Sequence, residues 1–145
     1  MTLQRMDHVG IVVDDLAAAT EFFAELGLVP QGDGSVQGRW VDRIVGLEGV
    51  QVDFAMMQTP DGNGRLELVK FDSPSYQGGD GHAPANAPGL RHVTFAVEDI
   101  DDVVARLQAR GAELVGELER YEDIYRLCYI RGPAGIIIEL AERIG

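Results

Sequence analysis

The chain has 145 residues, which is the size of one domain with a hydrophobic core of its own. Its 46% hydrophobic and 25% charged residues are typical of a folded globular protein and exclude a disordered one. Twelve Lys and Arg against 24 Asp and Glu give a net charge of −12, and so acidic a surface argues against binding to nucleic acid or anionic lipid.

The longest apolar runs are far shorter than the about 20 residues that a membrane-spanning helix needs. The first ten residues show neither the basic nor the apolar region of a secretory signal, so we expect a cytoplasmic protein without a membrane partner. A single cysteine, Cys128, excludes an internal disulfide and a multi-cysteine zinc site, and its apolar neighbours indicate a buried core residue.

The first predicted elements are a strand and a helix within residues 7–27, where Asp15 can cap the helix and Gly27 can end it. A less certain strand is predicted near 28–37, and we expect the segment 31–50, which carries Trp40, to be an irregular loop able to cover a site. Two β-rich runs joined by the turn PDGNG then predict a hairpin, with strands at 50–59 and 65–71.

The same order of elements follows a Pro-, Gly- and Asp-rich linker, because residues 91–111 repeat residues 7–27 with a constant offset of 92 − 8 = 84. Further strands are predicted near 113–118, at 126–131 and at 136–142. The predicted fold is therefore α+β, with two tandem βαβββ modules in a single domain, residues 1–145. Module 1 is 1–71, the linker is 72–90 and module 2 is 91–145.

Strand alternation places four polar residues on the sheet faces that point away from the helices. His8 and His92 occupy equivalent positions in the two repeats, and each precedes an alternating apolar pattern. Glu67 interrupts the run LELV and Glu139 interrupts IIIELA, on strands of equivalent rank. Any one of these residues has an ordinary structural explanation, but their recurrence in both repeats predicts one shared site.

Two imidazoles and two carboxylates form a mixed nitrogen and oxygen donor set. Such a set suits Zn²⁺, Ni²⁺, Co²⁺, Mn²⁺ or Fe²⁺ better than Ca²⁺. We therefore predict that His8, Glu67, His92 and Glu139 bind one divalent metal ion. An ion that accepts six ligands would keep two positions for water or substrate.

The segments DHVGIVVDDL, RLELVKF, GLRHVTFAVEDIDDVVARL and GPAGIIIELAE resemble the vicinal oxygen chelate superfamily, and within it glyoxalase I and methylmalonyl-CoA epimerase. This resemblance implies two βαβββ modules that face across a metal cleft, often in a homodimer. The family's metal positions fall on the same four residues, His8, Glu67, His92 and Glu139. No basic cluster for a coenzyme A ester and no set of glutathione contacts is present.

The resemblance implies a metal-dependent isomerisation, epimerisation or lyase step on a small metabolite that chelates the metal through two oxygens. The metal would stabilise an enolate, with Glu139 as base and Glu67 as the returning acid. One alternative is an Fe²⁺ ring-cleaving dioxygenase that uses His8, His92 and Glu139, against which Glu67 counts as a fourth ligand. The other is a non-catalytic drug-binding resistance protein, for which Trp40 and the tyrosines are suitable and the intact ligand set is not.

Overall fold

A computed structural model describes residues 2–76, 78–79 and 81–145. The chain divides into two compact units, Met1–Gly78 and Gly79–Gly145. The boundary lies inside the segment 72–90 that the sequence predicts as a linker. Each unit has its own sheet and helix, and the mixed α+β class with two modules of βαβββ type is confirmed.

The first unit is a four-stranded sheet in the order β1-β4-β3-β2, where β1 runs parallel to β4 and the other pairs are antiparallel. Its elements are β1 (Val9–Val12), α1 (Leu16–Leu26), β2 (Val29–Gln37), α2 (Arg39–Val45), β3 (Gln51–Gln58) and β4 (Arg65–Ser73).

The second unit repeats this arrangement with the order β5-β9-β8-β6, with β5 parallel to β9 and β7 paired to β8. Its elements are β5 (His92–Val97), α3 (Ile100–Gln108), β6 (Glu113–Leu114), β7 (Glu119–Tyr121), β8 (Tyr125–Arg131) and β9 (Ile137–Arg143). A single 3-10 turn, Pro133–Gly135, joins the last two strands. Among the described residues, no helix is both long and apolar enough to cross a membrane.

One face of each sheet is buried by its helix, because the helix presents apolar side chains at spacings of three and four residues. In the first unit the buried side chains of α1 are Ala19, Phe22, Phe23 and Leu26. In the second unit those of α3 are Ile100, Val103, Val104 and Leu107. Cys128 on β8 is buried as predicted, and this burial raises the pKa of its thiol. The opposite face of each sheet is free to carry polar groups.

The prediction of an irregular loop over residues 31–50 is wrong. Residues up to Gln37 extend strand β2, and a second helix, α2, follows. The helix is stabilised because the Asp42 carboxylate accepts hydrogen bonds from the backbone N–H groups of Gly49 and Val50, at 3.0 and 2.8 Å. Its Val41 packs in a cluster with Val52 and neighbouring apolar residues.

The second module has one strand more than the predicted pattern. The expected strand near 113–118 is only the two residues of β6, and β7 follows it as a separate short strand. The chain bends at Val115 and Gly116, between the two short strands. Strand β4 also continues to Ser73, two residues into the predicted linker.

Both predicted helix caps are present, and they provide a test of the repeat. The Asp15 side chain accepts a hydrogen bond from the N–H of Ala18 at 3.0 Å, and the Asp99 side chain accepts one from Asp102 at 3.1 Å. We expect Asp15→Ala and Asp99→Ala each to lower the free energy of unfolding by about 1 kcal/mol, and Asp→Asn at either position to lower it much less.

Urea denaturation followed by circular dichroism measures this effect. The control is Asp14→Ala, which removes a neighbouring exposed carboxylate and should change stability by less than about 0.5 kcal/mol. Equal losses in Asp14→Ala and Asp15→Ala would mean that the cap contributes nothing beyond general charge.

Candidate metal centre

The first histidine–glutamate pair lies at the edge of the first sheet. His8 immediately precedes β1, and Glu67 lies on the neighbouring parallel strand β4, where its backbone position pairs with Gly10. The His8 Nε2 atom is 3.9 Å from the Glu67 Oε1 atom. The buried neighbours of Glu67 on β4 are Leu66 and Leu68, so the carboxylate lies on the face away from α1, as alternation predicts.

The carboxylate of Asp7 contacts the imidazole of His8 on its Nδ1 side, away from Glu67. The Nδ1 atom of His8 is 2.7 Å from Asp7 Oδ2, and Arg65 Nη1 lies 3.4 Å from the same oxygen. The hydrogen bond with His8 lowers the pKa of Asp7, and the positive charge of Arg65 acts in the same direction. An ionised Asp7 accepts a hydrogen bond from the Nδ1–H group, which leaves the lone pair on Nε2 directed at Glu67.

Two electron-pair donors therefore face each other in this pair. At 3.9 Å the Nε2 atom of His8 and the carboxylate of Glu67 are too far apart for a hydrogen bond. Two unshared acceptors at this separation repel unless positive charge lies between them. A divalent metal cation would supply such a charge.

The second unit repeats the pair with nearly the same geometry. His92 Nε2 is 3.7 Å from Glu139 Oε1, again across two parallel strands, β5 and β9. The Thr94 hydroxyl donates a hydrogen bond to Glu139 Oε1 at 2.7 Å. The ring of Tyr129 lies against that of His92, with centroids 5.0 Å apart, and its hydroxyl is 3.4 Å from Nδ1.

The four side chains are similarly accessible, with exposed fractions between 22% and 38%. Each is thus open enough to bind a ligand and enclosed enough to be held in place. Across the part of the chain that the structure describes, no group of three or more His, Cys, Asp or Glu side chains is placed so that it could hold a metal ion. The structure therefore brings the four predicted ligands together as two pairs, one in each unit.

The donor chemistry and spacing of each pair fit a divalent metal. Two ligands at about 2.1 Å from one ion, at angles between octahedral and tetrahedral, are separated by about 3.0 to 3.4 Å. The pairs measure 3.9 and 3.7 Å, so a side-chain movement of about half an ångström brings each into that range. The hydrogen bond between Asp7 and His8 Nδ1 is also of the kind that commonly orients a metal-bound imidazole.

The sequence predicts His8, Glu67, His92 and Glu139 as ligands, but it does not predict the residues that contact them. Asp7, Thr94 and Tyr129 were not predicted to have a role, although Asp7 is adjacent to His8 and Thr94 shares the predicted face of His92. For Asp7, the sequence pair Asp-His was an available signal. For Thr94 and Tyr129, the signal is the register of β9 with its two neighbours, which the sequence does not define.

Comparison with known families gives a match over most of the chain. The profile of the Glyoxalase/Bleomycin resistance protein/Dioxygenase superfamily matches residues 7–129. A crystal structure of a glyoxalase family protein from Bacillus cereus is 51% identical, covers 100% of this chain and 97% of that one, and superposes with a TM-score of 0.96.

More distant relatives extend over the same length. The uncharacterized protein YwbC of Bacillus subtilis is 29% identical over 143 residues, which is 97% of this chain and 98% of that protein. The antibiotic-binding protein TnmS3 from a Streptomyces strain is 21% identical, covers 99% of this chain and 98% of that one, and has a TM-score of 0.61. At that identity the TnmS3 comparison shows a shared fold alone.

Proposed function

Because this chain belongs to the glyoxalase/bleomycin resistance protein/dioxygenase superfamily, we propose that it is a divalent-metal-dependent enzyme of glyoxalase type. Its substrate would be a small metabolite that chelates the metal through two oxygens, and the reaction an isomerisation, epimerisation or lyase step. The observation that carries the proposal is the pairing of an imidazole Nε2 with a carboxylate oxygen in each module, at 3.9 and 3.7 Å.

The proposed ligands are His8 and Glu67 from the first module and His92 and Glu139 from the second. The two pairs have the same donor atoms, the same parallel-strand setting and similar exposure, which supports their use in one centre. A bound divalent ion would supply Lewis-acid stabilisation of the negative charge that develops on a substrate oxygen.

The two glutamates are the proposed proton carriers, with Glu139 as the base. Its Oε1 atom is held by the Thr94 hydroxyl, which orients the carboxylate and leaves Oε2 to take a proton from a substrate carbon. Glu67 would return the proton on the opposite side if a stereocentre is inverted. The histidines are poor bases here, because their Nε2 lone pairs are the proposed metal donors.

Two other functions make different demands on the same residues. A ring-cleaving dioxygenase would need only His8, His92 and Glu139 on Fe²⁺, and Glu67 would then occupy a position needed for O₂. A drug-binding protein would have no use for the two donor pairs. Oxygen consumption with catechols would favour the first alternative, and tight binding of aromatic compounds by a protein that never binds metal would favour the second.

Metal binding is the primary test. We expect protein purified without chelator to contain one divalent ion per site, and His8→Ala or His92→Ala to weaken the binding of added Zn²⁺ or Co²⁺ by at least about a hundredfold. Elemental analysis and titration calorimetry measure this.

The matched control is His82→Ala, which changes the third histidine, in an exposed part of the linker, and should retain the metal. Stoichiometric metal in the His8→Ala, His92→Ala double variant would overturn the assignment.

Proton transfer is the second test. We expect wild-type protein to exchange the substrate C–H with D₂O, followed by NMR with candidate α-hydroxy ketones, hemithioacetals and acyl thioesters. Glu139→Gln should keep part of the metal affinity, because an amide oxygen can coordinate, while exchange falls by about a hundredfold or more.

Glu48→Gln, a change at an exposed glutamate of the first unit, should exchange at the wild-type rate. Undiminished exchange in both Glu67→Gln and Glu139→Gln would reject a glutamate base.

We also propose a homodimer. Exposed apolar side chains on and after α2 support it, since Trp40, Ile44 and Leu47 are 57%, 73% and 45% exposed and lie within eight residues of one another. Sedimentation equilibrium at micromolar concentration should show a species of twice the chain mass, and Ile44→Glu should shift it toward the monomer. A monomer in the wild type at that concentration would contradict the proposal.

A further inference from the structure

On the open face of the second sheet, a cavity of about 910 Å³ lies beyond the pair formed by His92 and Glu139. All of its lining belongs to the second unit. The lining residues are Thr94, Ala96, Val97, Glu98, Tyr121, Tyr125, Leu127, Ala141 and Arg143. Thr94 also donates the hydrogen bond to Glu139, so this one side chain connects the cavity to the proposed metal pair.

Strand register orders the cavity into rows. Tyr121, Tyr125 and Arg143 are successive cross-strand partners on β7, β8 and β9, and they form the far row. Paired residues share a face of the sheet, so these three side chains lie on the same surface as Glu139.

The middle row is built from small and apolar side chains. Leu127 pairs with Ala141, and Ala141 pairs with Ala96. Two alanines in adjacent strands leave room above the backbone for part of a ligand. The near row contains Tyr129, Glu139 and Thr94, which belong to the proposed metal site.

Arg143 brings the single strong cation of this cavity. Its Nε atom donates a hydrogen bond to the Gly145 backbone oxygen at 2.9 Å, which fixes the guanidinium group. Apart from this contact with Gly145, the described residues give Arg143 no further hydrogen bond or ion pair, and its two Nη atoms remain as donors. A planar guanidinium presents them in the geometry that a carboxylate or phosphate accepts.

We propose that this surface holds the distal part of the substrate, and that the substrate is an elongated organic anion with an apolar or aromatic body. The inference rests on the proposed function for its near end. From Glu139 to Arg143 the strand advances four residues, or about 13 Å, which sets the reach from the metal-bound oxygens to the terminal anion. The body lies on Ala96 and Ala141 and against Tyr121 and Tyr125.

Glu98 is the one carboxylate in this cavity and gives the proposal a second test. It is on the side of Arg143 opposite to the tyrosines, one residue past the last paired position of β5. Its charge opposes a purely anionic ligand. Neutralising it should therefore strengthen binding if the ligand end is an anion, and weaken binding if that end is a zwitterion.

The probes are naphthalene-2-carboxylate, its neutral carboxamide and phenyl phosphate, titrated into ¹⁵N-labelled protein with and without prior chelator treatment. We expect the anionic probes to shift the backbone amide signals of Ala96 and Ala141. The carboxamide should bind at least about tenfold more weakly than the carboxylate. The ratio of carboxylate to phosphate affinity identifies which terminal group the arginine prefers.

Arg143→Gln should weaken the anionic probes by about tenfold and leave the carboxamide unchanged. Arg143 is exposed, so folding is not at risk. The matched control is Arg120→Gln, which removes a cation from the opposite face of β7 and should change nothing. Glu98→Gln should tighten the anionic probes.

Equal binding of acid and amide, or unchanged anion affinity in Arg143→Gln, would overturn this inference. Weaker binding of the anionic probes in Glu98→Gln would also overturn it. Failure of the proposed function gives a different result. In that case the metal does not bind. The probes still shift the backbone amide signals of the far row in His92→Ala and in chelator-treated protein.

Discussion

The parallel pairing of the first strand of each module with its last strand is the constraint on which the candidate site depends. It sets Gly10 beside Glu67 and Thr94 beside Glu139, so that each histidine, two residues earlier, reaches the carboxylate diagonally. Parallel strands in one module need a long connection between them, and here the helix and the middle strands provide it. The same helix buries the other face of the sheet. A histidine and a glutamate can therefore remain polar and adjacent without lying in the core.

The two modules support their pairs in different ways. His8 is held by the carboxylate of Asp7, whereas the equivalent of Asp7 in the second repeat is Arg91, and His92 contacts Tyr129 instead. An anionic partner strengthens an imidazole as a metal donor, and a phenol does so less. The first histidine is thus the more strongly polarised of the two.

The glutamates differ in the opposite sense. Thr94 anchors Glu139, but its equivalent beside Glu67 is Gly10, which has no side chain. A Cβ atom built on Gly10 would meet no atom within 4 Å, so steric crowding does not require the glycine. Glu67 consequently has more freedom to move than Glu139. The two proposed proton carriers, Glu139 and Glu67, therefore have different surroundings.

Much of this could be read from the sequence, because it is periodic and repeated. The repeat at residues 7–27 and 91–111 and the alternation around Glu67 and Glu139 were sufficient to predict the modules, the helix caps and the faces of the four donors. Each of these features depends on neighbours close in the chain. The helix α2 escaped prediction because its stability comes from Asp42 bonding to backbone eight residues away and from packing on β3.

Only the tertiary structure decided which side chains contact the four proposed ligands and which residues line the cavity on the open face of the second sheet. Strand alternation assigns Thr94, Tyr129 and Arg143 to a face, but contact between them depends on strand order and register, which are set by pairing between distant segments. The register of β8 with β9 places Tyr129 beside Glu139 and Tyr125 beside Arg143. A shift of one residue would have sent all of these side chains to the helix side. The sequence by itself therefore determined the chemistry of the donors, and long-range strand pairing determined their surroundings.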